Sequence, residues 1–203
     1  MPNVLITAFE PYDRWKENSS WLALVALTRD LPSRPKIVTR RYPVDFEAVK
    51  RQLQADLGAN YDFALHLGQS PSLGRIHLEA VGINIGGHSS QLPDQFGELI
   101  ADGPAAYRSD LPLAEWSRLL RGEGIPAQVS YHAGVFLCNA LLYLSLHYAQ
   151  TQRLKTRSCF IHLPLAPQQV LHDRHDHSTL TSEVCAQGLH LILRELDRLP
   201  STV

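Results

Sequence analysis

Short apolar runs rich in β-branched residues alternate with longer helical stretches along almost the whole chain. The runs have the length and apolarity of buried strands, and the longer stretches carry apolar residues at helical spacing. The predicted strands include 3–8, 36–42, 61–67, 127–131 and 158–163, and the predicted helices include 19–31, 45–57, 113–121, 138–149 and 179–198. This alternation predicts an α/β fold with a largely parallel sheet covered on both faces. Ligands in such folds bind at the carboxyl ends of the strands.

Length, charge and cysteine content narrow the class of protein further. We predict one domain over residues 1–203, because no linker or repeat divides the chain. The net charge of −1 makes nucleic acid and membranes poor candidates for partners, and no apolar run approaches the roughly 20 residues that span a bilayer. The N-terminus lacks a signal-peptide pattern. Three sparse cysteines form no disulfide framework, so we expect a reducing, cytoplasmic location.

Cys138 lies at the predicted start of an almost wholly apolar helix, after a strand and a permissive turn. The unpaired N–H groups and the dipole of a helix N-terminus favour a thiolate, and the same groups can donate to an oxyanion. Cys138 is therefore a candidate nucleophile. From this pattern alone, the alternative is a buried structural cysteine. That alternative suits Cys159, in mid-strand, and Cys185, in mid-helix, better.

His162 ends the run SCFIH and precedes a Leu-Pro pair. Proline ends a strand, so His162 is predicted at the carboxyl end, as a candidate base for a cysteine nucleophile. The alternative is a partly buried structural histidine. For the polar cluster of His172, His175 and His177, a solvated loop is favoured over a metal site.

Glu79 lies where the strand-like alternation of residues 75–85 changes phase, which indicates a bulge or bend near residues 79–81. Its neighbours are apolar, so a buried carboxylate here needs a partner. A histidine N–H is a suitable partner, because the pairing fixes the tautomer and stabilises the imidazolium. The alternative is an edge-strand glutamate that faces water.

Residues 86–107 are rich in Gly, Pro, Ser and Asp and show little periodicity. Long loops of this kind in compact domains often act as lids or binding loops. The alternative is a disordered excursion.

Several motifs in order give the chain a resemblance to the pyroglutamyl peptidase I (pyrrolidone-carboxylate peptidase) family. The similar segments are LITAFEPYDRWKENSSW (5–21), LHLGQSPSLGRIHLEAVGIN (65–84), DGPAAYRSDLP (102–112), GIPAQVSYHAGVFLCNALLY (124–143) and FIHLPLAPQQ (160–169). The resemblance implies a three-layer α/β/α sandwich with a mainly parallel mixed sheet. It implies a cysteine omega peptidase without metal or cofactor that removes an N-terminal pyroglutamyl (5-oxoproline) residue from peptides through an acyl-enzyme.

The resemblance also implies residue roles. The nucleophile falls on Cys138, the base on His162 and the orienting acid on Glu79. The implied substrate-binding positions are Phe9, Tyr12 and Phe136, which enclose the lactam ring, and Asn18 and Gln69, which lie at its polar edge. In the opening loop, 12–15 (YDRW) stands where the family often has Phe-Gly.

Beyond these residues, the resemblance implies peptide substrates with an N-terminal pyroglutamate and a homo-oligomer, either dimer or tetramer. Two alternatives stay open. One is a thiol amidase that acts on another small acyl group, and the other is a degenerate homologue with weak or no activity.

Overall fold

In the computed structural model, strands and helices alternate over the described residues, 1–88 and 90–199. The strands are β1 (Asn3–Phe9), β2 (Lys36–Tyr42), β3 (Phe63–Gln69), β4 (Ile76–Glu79), β5 (Val81–Ile83), β6 (Ala106–Arg108), β7 (Ala127–Ser130) and β8 (Arg157–Leu163). The helices are α1 (Ser19–Thr28), α2 (Phe46–Leu57), α3 (Leu113–Gly122), α4 (Leu137–Thr151), α5 (Pro167–Val170) and α6 (Ser182–Arg198), with a 3-10 turn at Pro93–Gln95.

Six of the strands form one sheet in the order β2-β1-β3-β8-β4-β7. The neighbours are parallel except for β4 and β8, which pair antiparallel. Strands β5 and β6 form a separate antiparallel pair. The predicted mainly parallel mixed sheet is therefore confirmed, and its one reversal lies between the strands that carry Glu79 and His162.

Two hydrophobic cores cover the two faces of the sheet. In β1, Val4 and Ile6 belong to the core that includes residues of α1, α3 and α6, whereas Leu5 and Phe9 belong to the core that includes residues of α2 and α4. Successive strand side chains point to opposite faces, so one apolar run supplies both cores. The three-layer α/β/α architecture is confirmed.

Two predicted helices are each three residues shorter than expected. The first ends at Thr28 rather than at residue 31. The last begins at Ser182 rather than near residue 179, because the Thr181 hydroxyl accepts the N–H of Val184 and caps the helix there. No helix within the described residues has the length and apolarity that a bilayer crossing requires.

The predicted phase change near Glu79 is a bend at which the chain leaves the main sheet. Strand β4 ends at Glu79, the Ala80 N–H donates to the carbonyl of Ser130, and β5 begins at Val81 in the second sheet. Buried Asn139 of α4 holds this second segment by accepting the N–H of Ile83 and donating to its carbonyl, each at 2.9 Å. The bend therefore keeps Glu79 on the main sheet while the next residues pack on α4.

The long loop, residues 86–107, contains the 3-10 turn and ends in β6. The Asn84 side chain closes it by donating to the carbonyl of Ile100 and accepting its N–H. Near the start of the loop, the ring of His88 contacts Phe136 edge-on, with centroids 5.6 Å apart. The loop thus packs on Phe136, two residues before Cys138.

Candidate active site

Cys138 is the second residue of α4 and is half-buried. Within the described part of the chain, no side chain caps this helix, whose N-cap residue is Phe136. Gly134, with a φ of 81°, provides the left-handed turn that leads from β7 to the helix. The first-turn N–H groups therefore stand near the sulfur, where they favour negative charge.

Gly68 of β3 makes room for the sulfur. A Cβ at this position would lie 3.1 Å from Cys138 Sγ and 2.5 Å from Cζ of the Phe160 ring. Gly68 also pairs in register with His162 of β8. The absence of a side chain at Gly68 thus allows the sulfur to approach the carboxyl end of the sheet beside His162.

His162 and Glu79 meet because β4 runs antiparallel to β8. Glu79 pairs with Phe160, two residues before His162, so the two side chains share a face as diagonal neighbours. His162 Nδ1 and Glu79 Oε1 are 2.8 Å apart, and Glu79 is 1% exposed. Because this hydrogen bond occupies Nδ1 of His162, Nε2 is the ring nitrogen that can exchange a proton with a reacting group.

Cys138 is near enough to His162 to affect its charge. Burial lowers the pKa of His162, but the thiol group of Cys138 and the carboxylate of Glu79 together outweigh burial and raise the pKa to about 9. The imidazole therefore holds its proton at neutral pH. A protonated imidazole thus lies near both the sulfur and the carboxylate.

His77 is a second imidazole near the carboxylate and was missed by the sequence analysis. It pairs in register with His162, and its Nδ1 is 3.9 Å from Glu79 Oε1. Its Nε2 is 2.9 Å from the side-chain nitrogen of Gln128. Burial lowers the pKa of His77 more than Glu79 raises it. Only the antiparallel register, which the sequence does not specify, reveals this neighbour.

A small cavity of about 50 Å³, called the ring cavity below, opens beside the sulfur. Its lining consists of Phe9, Tyr12, Asn18, Val44, Gln69, Phe136, Leu137 and Cys138. All five predicted substrate-binding residues thus line one cavity together with the predicted nucleophile. Two further lining residues were not predicted. Leu137 adjoins Cys138 in sequence, whereas no local signal marks Val44.

Among the polar residues that line the ring cavity, Gln69 has a side-chain N–H donor without a partner in the described residues. Its Oε1 accepts the N–H of Ser19 at 2.8 Å and Nε2–H of Gln169 at 2.8 Å. Its Nε2 is buried and has no partner among the described residues. A buried unpaired N–H is costly, so a ligand acceptor in the cavity would satisfy it.

The other two polar residues of the ring cavity are already engaged. Asn18 caps α1 by accepting the N–H of Ser20, and its Nδ2 donates to the carbonyl of Glu10 at 2.9 Å. Tyr12 donates its hydroxyl to the backbone carbonyl of Gln69 at 3.3 Å. Burial, followed by the charge of Cys138, raises the pKa of Tyr12 to about 12, so the phenol is neutral.

The unusual opening loop docks on the histidine-rich segment. Asp13 adopts a left-handed φ of 55°, which asparagine and aspartate tolerate better than most residues. Arg14 pairs with Asp173 at 2.9 Å, and Asp173 also contacts His177 at 3.1 Å. Trp15 packs edge-on against His177. In residues 1–88 and 90–199, no three potential metal ligands converge here or elsewhere.

An imidazole near both a buried carboxylate and a thiol suits acyl transfer through a cysteine nucleophile. Fold and site together therefore define a candidate thiol peptidase. Comparison with known families narrows this class, because the family model described as pyroglutamyl peptidase matches residues 2–195. The chain belongs to the pyroglutamyl peptidase family, and the hydrolase class implied by the resemblance is confirmed.

Individual relatives agree along most of the chain. The pyrrolidone-carboxylate peptidase of Erwinia tasmaniensis is 37% identical over 179 residues, covering 85% of this chain and 82% of the relative. That of Bacillus cytotoxicus is 32% identical and covers 95% and 92%. The crystal structure of the pyrrolidone carboxyl peptidase of Fervidobacterium islandicum is similar with a TM-score of 0.90 at 31% identity, covering 98% of this chain and 99% of that one.

Proposed function

We propose that this chain removes an N-terminal pyroglutamyl residue from peptides through an acyl-enzyme on Cys138. The observation that carries the proposal is that Cys138 lines the same small cavity as Phe9, Tyr12 and Phe136. A pyroglutamyl group is a flat, neutral lactam without a charge to bind, so aromatic contact must supply much of its recognition. The small volume of the cavity, about 50 Å³, favours a compact ring over a long side chain.

Polar recognition of the lactam is assigned to the free donor of Gln69. Its buried Nε2 lacks a partner within the described residues and suits a ring carbonyl oxygen. Asn18 forms part of the wall and holds the opening loop through its bonds to Glu10 and Ser20. The Tyr12 phenol is neutral, so it brings no charge into a site for a neutral ligand.

The proposed reaction uses groups of this chain at each step. The Cys138 thiolate attacks the pyroglutamyl carbonyl carbon, and the N–H groups at the start of α4 stabilise the oxyanion. His162 gives its proton to the amine that leaves as the C–N bond breaks. His162 then takes a proton from water, which attacks the thioester and releases pyroglutamate and the Cys138 thiolate. Glu79 keeps the imidazole oriented and balances its charge.

The test is hydrolysis of pyroglutamyl-aminomethylcoumarin by the full chain. We expect turnover by the wild type, loss of turnover in Cys138→Ser, and turnover near the wild-type level in Cys159→Ser. Cys159 is a matched control, because it is fully buried and burial raises the pKa of its thiol.

A panel of aminoacyl and acyl aminomethylcoumarins separates the alternatives. Preference for another small acyl group supports a thiol amidase of different specificity. No turnover of any member supports a degenerate homologue. Unchanged turnover of the pyroglutamyl substrate by Cys138→Ser would refute the assigned nucleophile.

A further inference from the structure

Gln169 has no role in the steps above, yet it bonds directly to the residue assigned to the lactam carbonyl. It lies on the short helix α5, outside the set of residues that line the ring cavity. Its side-chain nitrogen is 2.8 Å from Gln69 Oε1. A primary amide has a donor end and an acceptor end of nearly equal shape, so its function depends on what fixes its orientation.

Backbone groups fix the orientation of the Gln169 amide. The N–H of Ala166 donates to Gln169 Oε1 at 2.8 Å, and Gln169 Nε2 donates to the carbonyl of Glu17 at 3.0 Å. A backbone N–H can only donate and a backbone carbonyl can only accept. The end of Gln169 that faces Gln69 is therefore the donor end.

The Gln69 amide is fixed in turn by two donors. The backbone N–H of Ser19 and Nε2–H of Gln169 both point to Gln69 Oε1, each at 2.8 Å. A half-turn of this amide would set its NH2 group against both donors and leave all of them unsatisfied. Nε2 is consequently the end of Gln69 that is left for the ring cavity, and it is buried without a partner in the part of the chain that the structure describes.

We propose that Gln169 is a positioning residue, which sets the Gln69 amide so that the ring cavity presents an N–H donor to a ring carbonyl. The inference rests on the proposed function, because the ligand is taken to be the pyroglutamyl lactam. The inference has a consequence for specificity. The ring cavity favours a ring that has a hydrogen-bond acceptor opposite Gln69 Nε2, and this preference depends on Gln169, which does not touch the ring.

The substitution Gln169→Glu tests this assignment, because an ionised carboxylate has no donor. It repels both the Glu17 carbonyl and Gln69 Oε1, and it favours the rotated Gln69 amide. We expect the KM for pyroglutamyl-aminomethylcoumarin to rise about tenfold at neutral pH, with a much smaller change in kcat. As the pH falls towards the pKa of the new carboxyl, its protonated form donates again, so the KM ratio of variant to wild type shrinks.

Gln168→Glu is the matched control. It introduces the same charge on the same helix turn, and Gln168 is exposed. Its KM is expected to equal that of the wild type. Gln169→Leu removes the donor without adding charge, and we expect it to raise KM about three- to tenfold without any recovery at low pH. This second variant carries the test if Gln169→Glu does not fold.

Equal KM values for Gln169→Leu and the wild type would overturn the inference, as would equal rises for Gln169→Glu and Gln168→Glu. In both cases an active wild type leaves the proposed function intact. A folded wild type that does not hydrolyse the substrate contradicts the proposed function, and this inference with it.

Discussion

Replacing Glu79 by glutamine removes one charge and keeps an acceptor oxygen next to His162. The contact is 2.8 Å long and Glu79 is 1% exposed, so solvent screens it little. For charge centres about 4 Å apart at an effective dielectric constant of about 20, the attraction is about 4 kcal/mol, or about three pKa units. Because the amide retains the hydrogen bond, we expect the pKa of His162 to fall by about one to three units from its value of about 9.

The assay is the pH dependence of kcat/KM for pyroglutamyl-aminomethylcoumarin. The raised pKa means that His162 keeps its proton up to about pH 9, so the wild type should lose activity as the pH rises through that value. In Glu79→Gln, this alkaline limb moves to lower pH, and kcat/KM falls about 10²- to 10³-fold, since about 1.4 kcal/mol corresponds to a factor of ten. Glu115→Gln is the control, because Glu115 forms an exposed pair with Arg118.

The reasoning is refuted if Glu79→Gln keeps kcat/KM within about threefold of the wild type and its alkaline limb does not move. A shift of equal size in Glu115→Gln would show that the net charge of the protein, and not the buried contact between Glu79 and His162, sets the position of the alkaline limb.

Three further predictions concern the support of the site. Gly68→Ala places a Cβ against the Phe160 ring, so kcat/KM should fall about 10²-fold; an unchanged value contradicts the close approach. Asn139→Ala removes the side-chain partner of the Ile83 N–H and of the Ile85 carbonyl and should lower the free energy of urea unfolding by about 2–3 kcal/mol. Burial lowers the pKa of His66 to about 3, so the unfolded chain binds a proton that the fold excludes. Between pH 6.5 and 4, stability should fall by about 3 kcal/mol from this group, and His66→Gln should lack that part of the pH dependence.

Local physical rules explain why much of the fold was predictable. Lys36–Tyr42 was predicted with the bounds that the structure has, and α4 begins one residue before the predicted Cys138. Such elements can be recognised in the sequence because their apolar residues recur with a period of two or 3.6 residues. Errors occurred at helix ends whose position depends on a capping hydrogen bond. The Thr181 hydroxyl caps α6, which therefore begins three residues later than the pattern indicated.

By itself, the sequence determined the α/β class, the family and the residue types on which the proposed chemistry depends, because periodicity, proline and ordered motifs are local properties. Only the tertiary structure decided that β4 runs antiparallel to β8 and thereby joins Glu79 to His162 across 83 positions of chain. It also decided the orientation of the Gln69 amide through Ser19 and Gln169. Strand direction and amide orientation both arise from contacts between distant segments, and no local pattern encodes such contacts.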